Sequence, residues 1–141
     1  MKAILGMDKE NENIKLSPLK IKATSKLPSV TLDMDAGLFE ISGRSLPNET
    51  KSFYDPIIEW LTHYEKVSNF RTNFVFKLEY FNSSSSMAIL AILLRLQSIS
   101  MSGKEVLVTW HSEEEDMQES GFDYADIVNI PFKHIGLTNL D

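Results

Sequence analysis

The chain has 141 residues, of which 43% are hydrophobic and 24% charged, a composition typical of one soluble globular domain. It contains no cysteine, which excludes disulfides, thiolate catalysis and cysteine-ligated metal centres. The longest uninterrupted apolar run, residues 87–94, is shorter than the roughly 20 residues that span a bilayer. The uninterrupted apolar run after Lys2 is only five residues long. This is too short for a secretory signal, so we expect a cytoplasmic protein.

The formal net charge is −6, and the charge is unevenly distributed. Residues 1–26 contain six lysines and three acidic residues, whereas residues 111–141 contain eight acidic residues and one lysine. A predominantly acidic domain repels phosphate backbones, so nucleic acid is not an expected partner. The lysines of residues 1–26 are interleaved with Asn, Ser and Pro. This pattern indicates a flexible basic leader, followed by a folded domain of residues 27–141.

The first predicted elements of the domain are a β-hairpin and a helix. Val30 and Leu32 alternate with polar residues, Asp35-Ala36-Gly37 is a turn signal, and residues 38–42 form the returning strand. A helix with one apolar stripe follows. Pro56 is tolerated in the first turn of a helix, which predicts a start near Ser52.

The remaining elements alternate between strand and helix. Residues 73–81 predict a strand with Phe74, Phe76, Leu78 and Tyr80 on one face. A helix from Ser84 to Ser102, apolar on most sides, comes next, followed by the strand "EVLVTWH", an acidic helix interrupted by Gly121 and the strand "IPFKHIGL". The predicted order is ββαβαβαβ. Single helices between successive strands imply parallel pairing, and therefore an α/β fold with a mixed sheet flanked by about three helices.

Four consecutive serines, Ser83 to Ser86, lie between the central strand and the apolar helix. One serine is sufficient to cap a helix, and capping is the simplest interpretation. The alternative is a phosphate at the helix N-terminus, carried by a ligand or by a phosphoserine, because free amides and the helix dipole stabilise an anion there. The chain lacks the Gly-rich loop and lysine of a P-loop, which argues against a nucleotide site.

Other chemistry is not supported by the sequence. A nucleophile elbow needs G-x-S-x-G, but Ser83 is flanked by Asn82 and Ser84, and no third residue completes a triad with His111. His63, His111 and His134 are far apart, and residues 113–116 lack the spacing of a calcium loop. We therefore expect no metal, no cofactor and no enzymatic activity.

Four segments carry a resemblance to a known family: "LFEISGRSLPNETKSFYDPIIEWLTHY", "FKLEYFNSSSS", "SGKEVLVTWH" and "EEEDMQESGFDYADIVNIPF". They resemble successive blocks of the SiaC-type regulatory phosphoproteins, and the match extends over residues 29–135. The resemblance implies a STAS-like single domain, similar to anti-sigma-factor antagonists, which agrees with the predicted order of elements.

The resemblance also implies a phosphorylation site. In this family the acceptor is the hydroxyl residue directly after the Asn of the "YFNSS" block, which falls on Ser83 here. The family usually has Thr at this position, so Ser84 and Ser85 remain alternative acceptors. Phosphorylation at this helix end would repel a docked partner without unfolding the domain. The expected partner-binding residues are those at the start of the helix: Asn82, Ser83, Ser84, Ser85, Ser86, Met87 and Leu90.

The implied partners are a serine/threonine kinase of histidine-kinase-like fold, a PP2C-like phosphatase and an effector. In the known branch of the family the unphosphorylated protein activates a diguanylate cyclase, which raises cyclic di-GMP and favours biofilm formation. The expectation is therefore a non-enzymatic, phosphorylation-switched adaptor. Two alternatives remain open: an anti-sigma-factor antagonist that uses the same switch, and a small-molecule-binding domain.

Overall fold

The computed structural model describes residues 16–136, and in this range the elements follow one another in the order βββαβαβαβ. The strands are β1 (Leu19–Ile21), β2 (Ser29–Asp33), β3 (Leu38–Ser45), β4 (Arg71–Phe81), β5 (Glu105–Ser112) and β6 (Phe132–Gly136). The helices are α1 (Thr50–Val67), α2 (Ser83–Met101) and α3 (Glu115–Ile127). From β2 onward this is the predicted order.

Strand β1 lies in the segment that was predicted to be a flexible leader, and for residues 19–21 that prediction is wrong. Leu19 is paired antiparallel with Leu32 of β2, and its side chain packs against the hydrophobic core. The indole nitrogen of Trp60 also donates a hydrogen bond of 2.7 Å to the carbonyl oxygen of Ser17. Apolar contacts and backbone pairing therefore order this segment in spite of its lysines. Residues 1–15 of the expected leader lie outside the described residues.

The sheet is mixed, as predicted, and its spatial order is β1-β2-β3-β4-β5-β6. Strands β1, β2 and β3 are antiparallel, and β3 to β6 pair in parallel. Each helical connection advances by one strand in the same direction, and right-handed connections of this kind place the three helices on one face of the sheet. The carboxyl ends of β3, β4 and β5 consequently lie at one edge, beside the start of α2.

Alternating side chains of the central strands form the core under the helices. Phe39 of β3 lies against Trp60 and Tyr64 of α1, with ring centroids 6.2 and 5.1 Å apart. Phe76 of β4 lies 5.1 Å from the ring of Trp110 on β5. The opposite face of the sheet carries mostly polar side chains, so the hydrophobic core of the described residues lies on the helix-covered face.

Tyr80 departs from the predicted alternation of β4. Gly43 pairs with Leu78, but its neighbour Arg44 pairs with Tyr80, so Glu79 is an extra residue in the ladder. Such a β-bulge reverses the side-chain alternation beyond it. Tyr80 is therefore 50% exposed. The guanidinium of Arg44 lies 5.9 Å from the centroid of the Tyr80 ring.

Helix α1 begins two residues before the predicted start. The backbone N–H of Phe53 donates to the carbonyl oxygen of Glu49 at 3.2 Å, which closes a first turn ahead of Pro56. Pro56 consequently lies inside the helix. Because proline has no N–H, the carbonyl oxygen of Ser52 receives no bond from the position four residues later.

Helix α2 is the apolar central helix. It has 19 residues with a mean hydropathy of 1.3, so by length and composition alone it is long enough and apolar enough to cross a membrane. Core helices of globular proteins pass the same test, and α2 packs as one: its buried apolar residues are Ile89, Ile92, Leu93, Leu96 and Ile99. It lies between α1 and α3, which explains why apolar residues occur on several of its sides.

Helix α3 forms across Gly121, the residue that interrupts its sequence pattern. A Cβ atom at this position would overlap the indole ring of Trp110, which is fully buried. The indole nitrogen donates to the carbonyl oxygen of Met117 at 2.9 Å. Glycine is therefore required because the helix backbone approaches the tryptophan closely, and the packing compensates for its low helix propensity.

Candidate functional site

Asn82 forms the N-terminal cap of α2. Its side-chain oxygen accepts a hydrogen bond from the backbone N–H of Ser85 at 3.0 Å, and its own N–H donates to the carbonyl oxygen of Ser45 at 3.0 Å. Capping is therefore performed by the asparagine rather than by a serine. The hydroxyls of the four serines that follow are therefore not needed for the cap: those of Ser84, Ser85 and Ser86 each make a different contact, and that of Ser83 makes none among the described residues.

Ser85 is fully buried and belongs to the core. Its hydroxyl oxygen lies 2.9 Å from that of Ser45, which in turn lies 2.6 Å from the phenol oxygen of Tyr54. Burial raises the pKa of Tyr54, and the hydrogen bonds from the two serines oppose that shift only in part. This chain of hydroxyls joins β3, α1 and α2. Ser85 thus lies beneath the surface on which a partner was expected to dock.

Ser84 is exposed, but its hydroxyl is engaged. It donates to the Asn82 side-chain oxygen at 3.1 Å and lies 2.6 Å from the hydroxyl oxygen of Thr50. Thr50 is the first residue of α1. The contact therefore joins the N-terminal ends of two helices.

Ser86 is engaged through both its side chain and its backbone. Its hydroxyl donates to the carbonyl oxygen of Ser83 at 2.6 Å, and its carbonyl oxygen accepts from the phenol of Tyr124 at 2.7 Å. Burial raises the pKa of Tyr124 far above its usual range, so this phenol remains a donor at neutral pH. The first turn of α2 is thereby tied to α3.

Ser83 differs from the other three serines. It is exposed, and its hydroxyl makes no hydrogen bond within residues 16–136. It occupies the first position of α2, where the backbone N–H groups have no partner inside the helix. Among the described serines of the run, Ser83 alone combines an exposed position with an unengaged hydroxyl.

The electrostatic surroundings of Ser83 are suited to an anion. The N-terminal ends of α1 and α2 meet at the contact between Thr50 and Ser84, and each carries a partial positive charge from its helix dipole. Neither helix has an acidic residue in its first turn, although Glu49 immediately precedes α1. A phosphate on Ser83 would be accommodated locally by these dipoles.

An apolar surface extends from the serines along α2. Met87 is 67% exposed, and Leu94 and Met101 are 45% and 78% exposed. Leu90 is half-buried and packs partly against the core. Large exposed apolar side chains that succeed each other along one helix mark a surface able to bury another protein.

The three histidines are not brought together. His63 is on α1, His111 on the polar face of β5, and His134 against Phe122 of α3 with ring centroids 4.5 Å apart. Burial, followed by the nearby Lys77 charge, lowers the pKa of His111. Within residues 16–136 no group of three or more potential ligands could hold a metal ion.

One groove of about 640 Å³ lies at the carboxyl ends of the parallel strands. Its lining includes both basic and acidic side chains, among them Arg44, Lys77, Glu79 and Glu113. The charges are mixed, and among the described residues no orphaned buried polar group lines the groove, so it does not define a ligand chemistry.

Sequence reasoning did not find the residues that hold the serines. Ser45 and Thr50 lie between the predicted hairpin and the predicted start of the first helix, and neither Tyr54 nor Tyr124 was predicted to contact the serines. The direct contacts with the serine run join residues 34 to 40 positions apart: the separations are 40 for Ser45–Ser85, 34 for Thr50–Ser84 and 38 for Ser86–Tyr124. No local sequence pattern reports such pairings.

Comparison with known proteins identifies relatives of this chain. A family model described as SiaC family regulatory phosphoprotein matches residues 21–137. An uncharacterized protein of Pseudomonas aeruginosa strain UCBPP-PA14 is 25% identical over 119 residues, which are 83% of this chain and 94% of the relative.

Solved structures have the same fold. The crystal structure of apo-SiaC from Pseudomonas aeruginosa superposes with a TM-score of 0.77 at 24% identity, over 84% of this chain and 98% of that one. SiaC crystallised with the diguanylate cyclase SiaD, whose activator it is, gives a TM-score of 0.78 at 24% identity, over 84% and 99% of the two chains. These likenesses establish the mixed α/β fold.

Proposed function

We propose, because the chain belongs to the SiaC family of regulatory phosphoproteins, that it is a non-enzymatic cytoplasmic adaptor controlled by phosphorylation of Ser83. Unphosphorylated, it binds and regulates an effector, and the SiaC–SiaD complex supports a diguanylate cyclase as that effector. The observation that carries the proposal is the exposed, unengaged Ser83 hydroxyl next to the apolar surface of α2.

The proposed binding surface consists of the exposed residues of the first turns of α2. The partner covers Ser83 and Ser84 and buries Met87, with Asn82, Ser86 and Leu90 at the margin. Burying a side chain as exposed as Met87 contributes roughly 1.5–3 kcal/mol. This contribution is lost when the partner is released.

Phosphorylation would act on the interface rather than on the fold. A phosphate adds about −1.5 to −2 charges and three acceptor oxygens. The free N-terminal amides of α2 and the two helix dipoles stabilise this charge in the isolated domain. A partner covering Ser83 would instead have to remove water from the phosphate, which is costly without a paired cation. The kinase and the PP2C-like phosphatase that the family resemblance implies would control how much of the protein is phosphorylated.

A first experiment tests whether Ser83 is modified. Protein purified from its native cells, with and without phosphatase treatment, is digested and its phosphopeptides are mapped by mass spectrometry. We expect a single phosphate on Ser83 that the phosphatase removes. The absence of phosphate from residues 83–86 under all growth conditions would contradict the proposal.

A second experiment tests the switch by binding. Wild type and Ser83→Ala should bind a diguanylate cyclase of the same organism with similar Kd, whereas Ser83→Asp should weaken binding at least tenfold. Ser102→Asp is the control, because it adds the same charge to an exposed residue at the far end of α2. Equal binding by Ser83→Asp and Ser83→Ala would contradict control of effector binding by phosphorylation of Ser83.

An anti-sigma-factor antagonist would use the same surface and the same modification. The two functions differ in the partner that the unphosphorylated domain retains. Co-purification of the Ser83→Ala variant with a diguanylate cyclase supports the proposed function, and co-purification with a kinase-like anti-sigma factor supports the alternative.

A further inference from the structure

We infer that Thr50 determines which serine is phosphorylated, because the hydrogen bond from its hydroxyl to that of Ser84 makes Ser84 a poor phosphate acceptor. This inference rests on the proposed phosphorylation of Ser83 and concerns the selectivity of that reaction. Ser83 and Ser84 are adjacent and both exposed, so exposure alone does not distinguish them. Their hydrogen bonds do.

The Ser84 hydroxyl is held on both its donor and its acceptor side. A hydroxyl has one proton, and that of Ser84 is donated to the Asn82 side-chain oxygen at 3.1 Å. In the 2.6 Å contact with Thr50, Thr50 must therefore be the donor and a lone pair of Ser84 the acceptor. The Ser83 hydroxyl has no such contact within the described part of the chain.

Phosphoryl transfer requires a hydroxyl whose proton can be removed and whose oxygen is accessible, and these two hydrogen bonds engage both the proton and the oxygen of Ser84. The serine oxygen forms a bond to the γ-phosphorus of the kinase's ATP, the bond from that phosphorus to the bridging oxygen breaks, ADP leaves, and the hydroxyl proton passes to a base on the kinase. Ser84 would first have to turn its proton away from Asn82 and free its oxygen from Thr50. Ser83 meets neither obstacle.

Of the two residues that bond to Ser84, Thr50 can be replaced without removing the cap of α2. Asn82 also caps α2 through the Ser85 N–H, so its replacement would perturb the helix as well as Ser84. Thr50 makes its side-chain contact with Ser84 and takes no part in the cap formed by Asn82 and the Ser85 N–H. Thr50→Val removes the hydroxyl and preserves the shape of the side chain.

The test measures phosphorylation of Ser84 in a Ser83→Ala background, where Ser83 no longer competes. Each variant replaces the native gene in the original host, and the phosphate on residues 83–86 is quantified by mass spectrometry. Adding Thr50→Val should raise the phosphate on Ser84 about three- to tenfold, the effect of removing one hydrogen bond. Thr50→Ser, which retains the hydroxyl, should restore the low level.

Thr62→Val is the matched control, because Thr62 lies on the same helix and, within residues 16–136, its hydroxyl bonds only to the carbonyl oxygen of Ile58. It should leave Ser84 phosphorylation unchanged. An unchanged level in Thr50→Val, with wild-type Ser83 still modified, would overturn the role of Thr50 and leave the proposed function intact. Absence of phosphate from Ser83 in the wild type would overturn both. Thermal unfolding of each variant verifies that it folds.

Discussion

The phenol of Tyr124 donates a hydrogen bond of 2.7 Å to the carbonyl oxygen of Ser86, and so joins α3 to the first turn of α2. The Tyr124 side chain also packs against Trp110, with ring centroids 5.6 Å apart. The position of the serine run is therefore fixed by a core residue 38 positions away in the chain. Changes to this contact should be measurable in the stability of the domain.

The first prediction concerns Tyr124→Phe at neutral pH and in alkali. At pH 7 the variant should lose about 1 kcal/mol of unfolding free energy, the net contribution of one hydrogen bond. Burial raises the pKa of Tyr124 well above its ordinary value of 10.0, so stability is fully present below pH 10 and falls as pH rises above it, where the unfolded chain ionises.

In the wild type this loss approaches about 1.4 kcal/mol per pH unit for each such tyrosine. The difference between wild type and Tyr124→Phe should therefore narrow between pH 10 and 11, as measured by urea unfolding. Tyr80→Phe is the control, because that side chain is 50% exposed and not part of the core. A constant difference across this pH range would show that burial does not disfavour ionisation of Tyr124.

The second prediction separates the two ends of the apolar surface of α2. Met87 and Met101 are similarly exposed, at 67% and 78%, but only Met87 lies next to Ser83. Met87→Gln should weaken effector binding about 10- to 100-fold, because about 1.5–3 kcal/mol of apolar burial is lost. Met101→Gln should bind like the wild type in the same titration. Equal losses in both variants would show that the partner covers the whole length of the helix.

The third prediction concerns Gly121→Ala. Alanine favours a helix over glycine by about 1 kcal/mol, but its Cβ would overlap the Trp110 ring. Overpacking of a core costs typically about 1–3 kcal/mol, and Trp110 is fully buried, so destabilisation should prevail. A lower urea midpoint is expected, with little change for Ser120→Ala on the same helix. A higher midpoint would mean that the ring can move.

The fourth prediction concerns the contact between α1 and α2 at Glu65. Its carboxylate accepts a hydrogen bond of 2.6 Å from Ser98 and one of 3.1 Å from Arg95. The Ser98 hydrogen bond lowers the pKa of Glu65; burial opposes this shift, and Arg95 adds to it. A lowered pKa adds stability above the ordinary value of 4.5, and this stability disappears as pH falls.

Glu65→Gln should therefore be less stable than the wild type at pH 7, by about 1 kcal/mol or less since the pair is partly solvated. The two proteins should converge near pH 3. Urea unfolding at both pH values measures this, with Glu59→Gln, an exposed position of the same helix, as control. A difference that persists unchanged in acid would indicate lost packing rather than lost charge.

Much of the fold could be predicted because its elements have strong local patterns. Strand β2 and residues 76–80 of β4 alternate apolar and polar residues over five positions, and α1 has a clear apolar stripe. Strand β1 was missed because alternation over the three residues Leu19–Ile21 is too short to outweigh the lysines around it. The exposure of Tyr80 could not be foreseen either, since a bulge depends on the register between two strands.

The candidate site was located by sequence but its internal arrangement was not. The serine run, its place at a helix N-terminus and the adjacent apolar helix were all visible in the sequence. The distinct contacts of Ser84, Ser85 and Ser86 were not, because they depend on Thr50, Ser45 and Tyr124, which are distant in the chain. The burial of Ser85 is set in the same way, by the crossing of β3 and α1 beneath the start of α2.

The short strand β1 has a consequence for the behaviour of the protein at high concentration. Among the described residues, its backbone covers the edge of β2 and leaves an outer edge only three residues long, which contains Lys20 and is followed by Lys22. Unpaired strand edges invite intermolecular pairing, and short, lysine-rich edges discourage it. Residues 1–20 precede the part of the chain that matches the family model, so most of this protection against aggregation is supplied from outside the matched region.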